Sequence, residues 1–194
     1  MYTVSETAHC VMCNGPDAFR CGSCLHQWYC SKKCQKSDWS VHKILCAQRK
    51  DFETRPSPDS RRAILFHENK SVVEFIWATV KWFDLGDGEG VECPDDSLKA
   101  QFSTGSLRGM AFNINQVRGR KLLKCLDIRH RDAFLRDGSK LNQGIVMATK
   151  GKAGHPWAGP IVAMKHQDEG DDPIYYDDID VADFRDVVDY FLAY

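Results

Sequence analysis

The sequence predicts a small metal-stabilised module followed by an α+β domain, and three observations carry this prediction. Seven of the nine cysteines lie between Cys10 and Cys46, so thiols are concentrated near one end of the chain. A polar stretch that contains two prolines follows at residues 47–72 and is typical of a linker. Beyond it, β-branched and aromatic residues alternate as in a strand, and the last residues repeat with a helical period.

The cellular compartment decides how so many cysteines are interpreted. No stretch is long and apolar enough to span a bilayer, and the N-terminus lacks the basic start and apolar run of a signal peptide. We therefore expect an intracellular protein, in the cytoplasm or nucleus, where a reducing environment keeps thiols free. Clustered cysteines then indicate metal ligands rather than disulfides, and nine is an odd number for complete pairing.

The charge balance bears on which class of partner to expect. The whole chain carries 26 basic and 27 acidic residues, and this balance gives no reason to expect nucleic-acid or membrane binding. Residues 1–50 are locally basic, with seven Lys and Arg against three Asp and Glu, which leaves 19 against 24 for the remainder.

The cysteines and one histidine stand at spacings that suit zinc. A C-x2-C knuckle lets two thiolates from one turn meet a tetrahedral ion, and a spacing of four residues puts two ligands on one face of a helical turn. The pattern reads C-x2-C-x7-C-x2-C-x5-C-x3-C-x7-H-x3-C, which makes four pairs and hence two closed sites. Spacing alone permits sequential or interleaved pairing. The candidate ligands are Cys10, Cys13, Cys21, Cys24, Cys30, Cys34, His42 and Cys46.

This spacing resembles the MYND finger family at every ligand position, and Gln35, Trp39 and Leu45 also stand where that family tends to have them. The resemblance implies a cross-brace, and so a small zinc-stabilised cross-brace finger followed by an α+β domain. In the implied pairing, one Zn2+ is held by Cys10, Cys13, Cys30 and Cys34, and the other by Cys21, Cys24, His42 and Cys46.

Both predicted zinc ions are structural. Four protein ligands saturate each ion, whereas a catalytic zinc normally keeps one position open for water or substrate. A segment this short buries too little apolar surface to fold alone, so metal binding, worth on the order of 10 kcal/mol per site in small zinc peptides, supplies the folding free energy. We expect residues 8–47 to be disordered without zinc.

The resemblance also implies a surface on the finger that binds a protein or peptide partner. In the family, the surface beside the second helix binds short proline-containing segments as an added strand, and Gln35 and Trp39 match positions used there. The alternative for Trp39 is simple packing of the small helix between the two sites. The lysines of this region are interpreted as partly neutralising the anionic zinc clusters rather than as a phosphate-binding patch; they are Lys32, Lys33, Lys36 and Lys43.

We divide the chain into three segments. They are the finger at 8–47, a linker at 48–72 and an α+β domain of unassigned role at 73–194. Val73–Phe83 alternates as a strand, Gly86, Gly88 and Gly90 form the loop that ends it, and Asp180 is a good N-cap for a C-terminal helix. Further strands are expected at Leu122–Ile128, Gly144–Thr149 and Pro160–Lys165, with a short helix at Arg131–Leu135.

The tail is similar to the C-terminal region of uncharacterised fungal MYND-finger proteins through RDAFLRDGSKLNQ, HPWAGPIVAMK and DPIYYDDIDVADFRDVVDYF. This similarity implies one folded unit and no established activity. Cys93 and Cys125 lack partner ligands at zinc spacing, and we interpret them as a loop thiol and a strand core residue.

An enzymatic tail is the alternative to a binding protein. The tail is too short for a SET-type methyltransferase and lacks the motifs of that family, and no G-x-S-x-G, P-loop or G-x-G-x-x-G motif is present. The acidic run Asp168 to Asp180 lacks the EF-hand register and is interpreted as a solvated loop. Polar candidates for a catalytic cleft, with Trp157 to line an apolar substrate, are Asn113, Asn115, His130, Asp132, Asp137, His155 and His166.

We therefore predict a zinc-binding adaptor or regulatory protein that recognises proline-containing segments through its finger. A small enzyme or ligand-binding domain in the tail, with the finger as structural or targeting module, remains the alternative.

Overall fold

A computed structural model describes residues 9–86, 89–95, 98, 102, 107–167 and 175–194. The N-terminal finger contains the two-residue strands β1 (Phe19–Arg20) and β2 (Trp28–Tyr29), which pair antiparallel, and the helix α1 (Lys32–Cys46). A short 3-10 helix, Gln48–Phe52, follows directly. Among the residues that the structure describes, no helix is long and apolar enough to cross a bilayer.

The described part of the tail is mostly a β-sheet, accompanied by two helices. Its helices are α2 (Gln143–Thr149) and α3 (Val181–Ala193). Its strands are β3 (Ser60–Phe66), β4 (Val73–Gly86), β5 (Glu89–Pro94), β6 (Leu107–Asn115), β7 (Arg120–Arg131), β8 (Ile161–His166) and β9 (Tyr176–Asp177).

These strands form one antiparallel sheet in the order β5-β4-β3-β8-β7-β6, and β9 pairs with the end of β8. The long hairpins β4–β5 and β6–β7 lie at the two sides, and β3 and β8 lie between them. The sheet is covered on both faces at β3 and β8, which explains why both strands carry apolar residues on both faces.

The two faces of the sheet have separate cores. Side chains of a strand alternate between faces, so Ile64 and Phe66 lie on one face and Ala63 and Leu65 on the other. The first face is covered by α2, α3 and the finger, through residues such as Phe184. The second face is covered in part by the buried residues Leu98 and Phe102.

The finger packs against the sheet and α3 as part of the first core. Its buried side chains belong to the same cluster as Phe75 on β4 and Ile128 on β7; they are Val11, Tyr29, Val41 and Leu45. The finger and the tail therefore share a hydrophobic core, in addition to the covalent connection between them.

One predicted boundary in the chain, between the linker and the tail domain, differs from the structure. The predicted linker, 48–72, contains the 3-10 helix and β3, so the sheet begins before residue 73. β3 contains Arg61 and Arg62 near its start, which make the segment look polar, but both side chains are buried and paired. Arg61 donates to Glu92 and Arg62 donates to Asp180, partners that are far away in sequence.

The predicted strand at Gly144–Thr149 is wrong, because this segment lies in helix α2. Its β-branched residues favour a strand, but the Asn142 side chain accepts a hydrogen bond from the Ile145 backbone N–H at 2.8 Å and starts a helix. Thr149 Oγ1 donates to the Ile145 carbonyl within the same turn. Residue Lys150 then ends the helix in the left-handed conformation.

The other predicted elements can be compared directly. Val73–Phe83, Leu122–Ile128 and Pro160–Lys165 correspond to β4, β7 and β8, whereas Arg131–Leu135 passes from β7 into a turn. Asp180 is the N-cap of the C-terminal helix, as predicted, and forms a capping box with Asp183. In the predicted glycine loop, Gly86 and Gly90 lie in strands, and Gly88 is outside the described residues.

Candidate functional site

Two groups of metal-ligating side chains lie in the finger. The first contains Cys10, Cys13, Cys30 and Cys34, and the second contains Cys21, Cys24, His42 and Cys46. In each group the ligand atoms lie within 4.8 Å of one another. The pairs are interleaved along the chain, so the structure excludes the sequential pairing that spacing alone had left open and forms a cross-brace.

The distances within each group fit a tetrahedral zinc ion. Zn–S bonds of about 2.3 Å place two sulfur ligands roughly 3.8 Å apart. In the first group, Cys13 Sγ lies 3.4 Å from Cys30 Sγ and 4.0 Å from Cys34 Sγ. In the second, Cys21 Sγ lies 3.9 Å from Cys46 Sγ and 3.3 Å from His42 Nε2. The chain thus has one cluster of four cysteines and one of three cysteines and a histidine, each suited to one Zn2+.

The two C-x2-C pairs lie in turns of the same design. The residue after each second cysteine, Asn14 or Leu25, has a left-handed backbone with φ of 58° or 60°. The Asn14 N–H donates to the Cys10 carbonyl, and the Leu25 N–H donates to the Cys21 carbonyl. These short loops bring the two sulfurs of each pair to one side of the backbone.

Helix α1 supplies the remaining close pairs. Ser31 is its N-cap and accepts a hydrogen bond from the Cys34 backbone N–H, which fixes the first turn beside the first cluster. His42 and Cys46 lie one turn apart near its end and contribute to the second cluster. One helix therefore carries ligands for both ions and holds the clusters in a fixed relation.

The surroundings of Cys10 in the first cluster lower its pKa and favour a thiolate. Burial opposes ionisation of Cys10, but backbone N–H groups of Cys30, Met12 and Cys13 outweigh it and lower the pKa of Cys10 to about 7. In the second cluster, burial and the neighbouring thiols Cys46 and Cys21 raise the pKa of Cys24 to about 12. A bound Zn2+ supplies the positive charge that keeps such crowded sulfurs deprotonated.

The clusters differ in exposure. All four ligands of the second cluster are buried, whereas Cys13 of the first is exposed and Cys30 and Cys34 are half-buried. Both clusters offer four protein ligands, which is the arrangement of structural zinc. Cys93 and Cys125 lie apart from them, in β5 and β7 respectively.

The two predicted peptide-binding residues lie on the outer side of α1. Trp39 is 48 % exposed, and its ring contacts the zinc-ligand candidate His42 with centroids 5.9 Å apart. Gln35, one turn earlier, is half-buried. Packing of α1 therefore accounts for only part of the Trp39 side chain, because about half of it faces solvent.

An edge strand lies in the same small module. β1 forms one edge of the two-stranded sheet, and both of its residues, Phe19 and Arg20, are exposed. Ring contacts connect Phe19 to Tyr29, and Tyr29 to His42 beneath Trp39. An exposed strand edge is the feature to which an extended peptide adds as a further strand.

The polar tail residues considered for catalysis have separate structural roles. His130 is buried, donates from Nδ1 to the Arg131 carbonyl and contacts Trp157, whose own side chain is only 1 % exposed and belongs to the core. His155 also packs edge-on against Trp157. His166 donates from Nδ1 to the carbonyl of Gln167.

The remaining candidates of that set lie elsewhere. Asp132 pairs with Arg108 on the surface, and Asp137 accepts hydrogen bonds from Ser139 within a turn. Asn115 donates to Asp186 and Asp189 of α3, and Asn113 lies at the register shift of β6. The predicted side chains are thus divided among several places rather than brought to one cleft.

A buried ionic contact between finger and tail was missed by sequence reasoning. Asp38 on α1 is completely buried, and Arg185 on α3 donates to its carboxylate from Nε at 2.7 Å and from Nη2 at 2.6 Å. Arg118 extends the contact, because it donates to the Met12 carbonyl and to Asp189. Polar residues on separate amphipathic helices give no signal that they will meet.

The acidic run also contacts the finger. Its last residue, Asp180, accepts hydrogen bonds from Arg49 Nε, and its carboxylate lies 3.4 Å from His26 Nδ1. Asp178 of the same run pairs with Arg55. Residues 168–174 lie outside the described part of the chain.

Comparisons with known proteins identify the finger. Residues 10–46 match the family described as MYND finger. The chain is 40 % identical over 62 residues to ubiquitin carboxyl-terminal hydrolase 19 of Arabidopsis thaliana, which is 31 % of this chain and 9 % of that protein. It is 29 % identical over 120 residues to mouse Tudor domain-containing protein 1, which is 62 % of this chain and 8 % of that protein.

A third relative is the chicken N-lysine methyltransferase SMYD2, which is 44 % identical over 48 residues, 23 % of this chain and 11 % of that protein. The chain thus spans about a tenth of the length of these curated relatives. No solved structure gives a significant match.

Proposed function

We propose that this chain, whose residues 10–46 form a MYND finger, is an adaptor or regulatory protein that recognises short proline-containing segments through that finger. The MYND finger is a protein-interaction module, and the metal clusters leave no ligand position open for chemistry at zinc. The observation that carries the proposal is the half-exposed Trp39 on the outer side of α1, beside Gln35.

The chemistry of this surface fits a proline segment. An aromatic face accepts the proline ring, and a proline-rich peptide is already extended, so binding costs it little conformational entropy. Gln35 offers an amide that both donates and accepts hydrogen bonds to a peptide backbone. The exposed edge of β1 supplies the main-chain groups that a strand-like ligand pairs with.

The experiment measures capture of a fluorescent proline-containing peptide library by the full zinc-loaded chain. We expect binding by the wild type and a loss of at least about tenfold in affinity for Trp39→Ala, since a central aromatic anchor is typically worth about 2 kcal/mol or more, roughly thirtyfold. The zinc content of the variant must remain at two equivalents.

A matched control is available in the tail. Trp82 is 45 % exposed on β4, almost the same fraction as Trp39, so Trp82→Ala removes a comparable exposed aromatic far along the chain. We expect this variant to bind peptide like the wild type. Equal losses in both variants, or no capture by the wild type, would reject recognition through the finger.

A further inference from the structure

The exposed side of α1 carries a stripe of three lysines around Trp39. Residues Lys32, Lys36, Trp39 and Lys43 follow one another at intervals of four, three and four, which places them on one face of a helix. All four side chains are exposed. The opposite face of α1 is buried and carries the one acidic residue of the helix, Asp38.

The three lysines of the stripe have no carboxylate partner among the described residues. No ion pair in that part of the chain involves them, whereas Asp38 is occupied by Arg185. Lys32 lies over the ring of Phe19, 5.5 Å from its centroid, and so brings its charge toward the edge strand β1. The positive charge beside Trp39 is therefore available to a ligand.

We propose that the finger prefers proline-containing segments that carry Asp or Glu within about three residues of the proline. This inference rests on the proposed function, because it adds charge selectivity to the same Trp39 surface. A carboxylate on each side of a proline seated at Trp39 meets Lys36 or Lys32 toward one end of α1 and Lys43 toward the other.

The dimensions of the stripe set the length of the ligand. A helix rises about 1.5 Å per residue, so the stripe spans roughly 16 Å, which matches about five residues of an extended peptide at about 3.3 Å each. Lys43 lies about 6 Å along the axis from Trp39, or about two ligand residues away. The acidic positions therefore lie close to the proline and not in a distant tail of the ligand.

A peptide fits this surface better than a nucleic acid does. The remainder of the chain is acidic, with 19 basic and 24 acidic residues beyond residue 50, which repels a long polyanion. The stripe contains one exposed aromatic and no arginine, whereas single-stranded nucleic acids are bound by successive stacking platforms along a basic groove.

The experiment compares three probes on the full zinc-loaded chain by fluorescence anisotropy. They are a proline peptide with Asp and Glu flanks, the same peptide with Gln and Asn flanks, and a single-stranded oligonucleotide of equal length. We expect the acidic peptide to bind about five to ten times more tightly than the neutral one at about 50 mM salt, and this advantage to shrink strongly at about 500 mM.

Two triple variants assign the effect to the stripe. Lys32→Gln, Lys36→Gln and Lys43→Gln together should remove the advantage of the acidic peptide and leave binding of the neutral one intact. The control triple, Lys140→Gln, Lys150→Gln and Lys152→Gln, changes the net charge equally at exposed positions of the tail and should retain the advantage. Zinc content of both triples is measured alongside.

The outcomes separate the two proposals. Equal wild-type affinity for acidic and neutral peptides overturns the charge selectivity while the proposed function stands. Failure of both peptides to bind overturns both. Lower zinc content in the stripe variant, with the peptide preference unchanged, would show that the lysines only neutralise the clusters. Oligonucleotide binding that is tighter than peptide binding and independent of Trp39 would also overturn the inference.

Discussion

Arg185 on α3 contacts one carboxylate oxygen of the buried Asp38 on α1 with two of its nitrogens. Nε lies 2.7 Å and Nη2 lies 2.6 Å from that oxygen. The other oxygen accepts a 2.6 Å hydrogen bond from the Tyr29 hydroxyl. This contact joins residues 147 positions apart in sequence, and Asp38 directly precedes Trp39 in α1. The tail helix thus fixes the orientation of the helix that presents the proposed binding surface.

Removing one partner of this pair should strongly destabilise the protein. Arg185→Ala leaves the Asp38 carboxylate buried without its cation, a change that typically costs about 3–5 kcal/mol. We expect this loss in the free energy of unfolding, measured by urea denaturation with zinc present, and a parallel loss of peptide affinity as α1 loses its support.

The surface pair of Arg108 and Asp132 provides the comparison. Its side chains are 65 % and 47 % exposed, so Arg108→Ala should change the free energy of unfolding by less than about 1 kcal/mol. A cost for Arg185→Ala as small as that of Arg108→Ala would show that the buried pair does not hold finger and tail together.

The zinc ligands were predictable because their geometry is local. Each ligand pair is set by two or three intervening residues, and the spacing of Cys10 and Cys13 or of His42 and Cys46 is visible in the sequence. The resemblance to MYND fingers supplied the interleaving, which spacing alone left open. The C-terminal helix was predictable for the same reason, since Asp180 and the apolar period that follows it are local signals.

The features that were missed depend on partners far away in sequence. β3 was hidden because Arg61 and Arg62 have polar side chains, and only the folded chain brings Glu92 and Asp180 to them. The helix α2 was missed because its β-branched residues favour a strand, and because the hydrogen bond that Asn142, its N-cap, donates to the Phe66 carbonyl of β3 exists only in the folded chain. Tertiary contacts of this kind override local propensity.

Removal of zinc should destabilise the tail as well as the finger. Tyr29 and Leu45 of the finger belong to the same core as Phe75 and Phe184, so unfolding of the finger exposes that face of the sheet. We expect a chelator to increase hydrogen exchange of backbone amides in β4 and α3 as well as in α1. Unchanged protection in β4 and α3, with loss confined to residues 10–46, would contradict the shared core.

The two zinc ions should leave at different rates. Cys13 of the first cluster is exposed, and all four ligands of the second cluster are buried, so a competing chelator reaches the first ion more easily. We expect two phases of zinc release of one equivalent each. Cys13→Ser should eliminate the fast phase and keep the slow one, and a single rate for both equivalents in the wild type would refute the difference.

The stability of the contact between β8 and α3 should depend on alkaline pH through Lys165. Its Nζ lies 2.7 Å from Asp183 Oδ2, and both side chains are mostly buried. Burial acts to lower the pKa of Lys165, but the carboxylate of Asp183 outweighs it and raises that pKa above its usual 10.5. A raised folded-state pKa means that the stabilising effect is complete below the unfolded value and is lost as pH rises through the folded one.

We therefore expect the difference in free energy of unfolding between the wild type and Lys165→Met to be constant from about pH 7 to 9 and to shrink above about 10.5. The exposed Lys152 serves as the control, and Lys152→Met should give no such dependence. Urea titrations at each pH, with zinc content checked, measure both differences. If the difference for Lys165→Met stays constant well above its ordinary pKa, the ion pair with Asp183 contributes no charge-dependent stability.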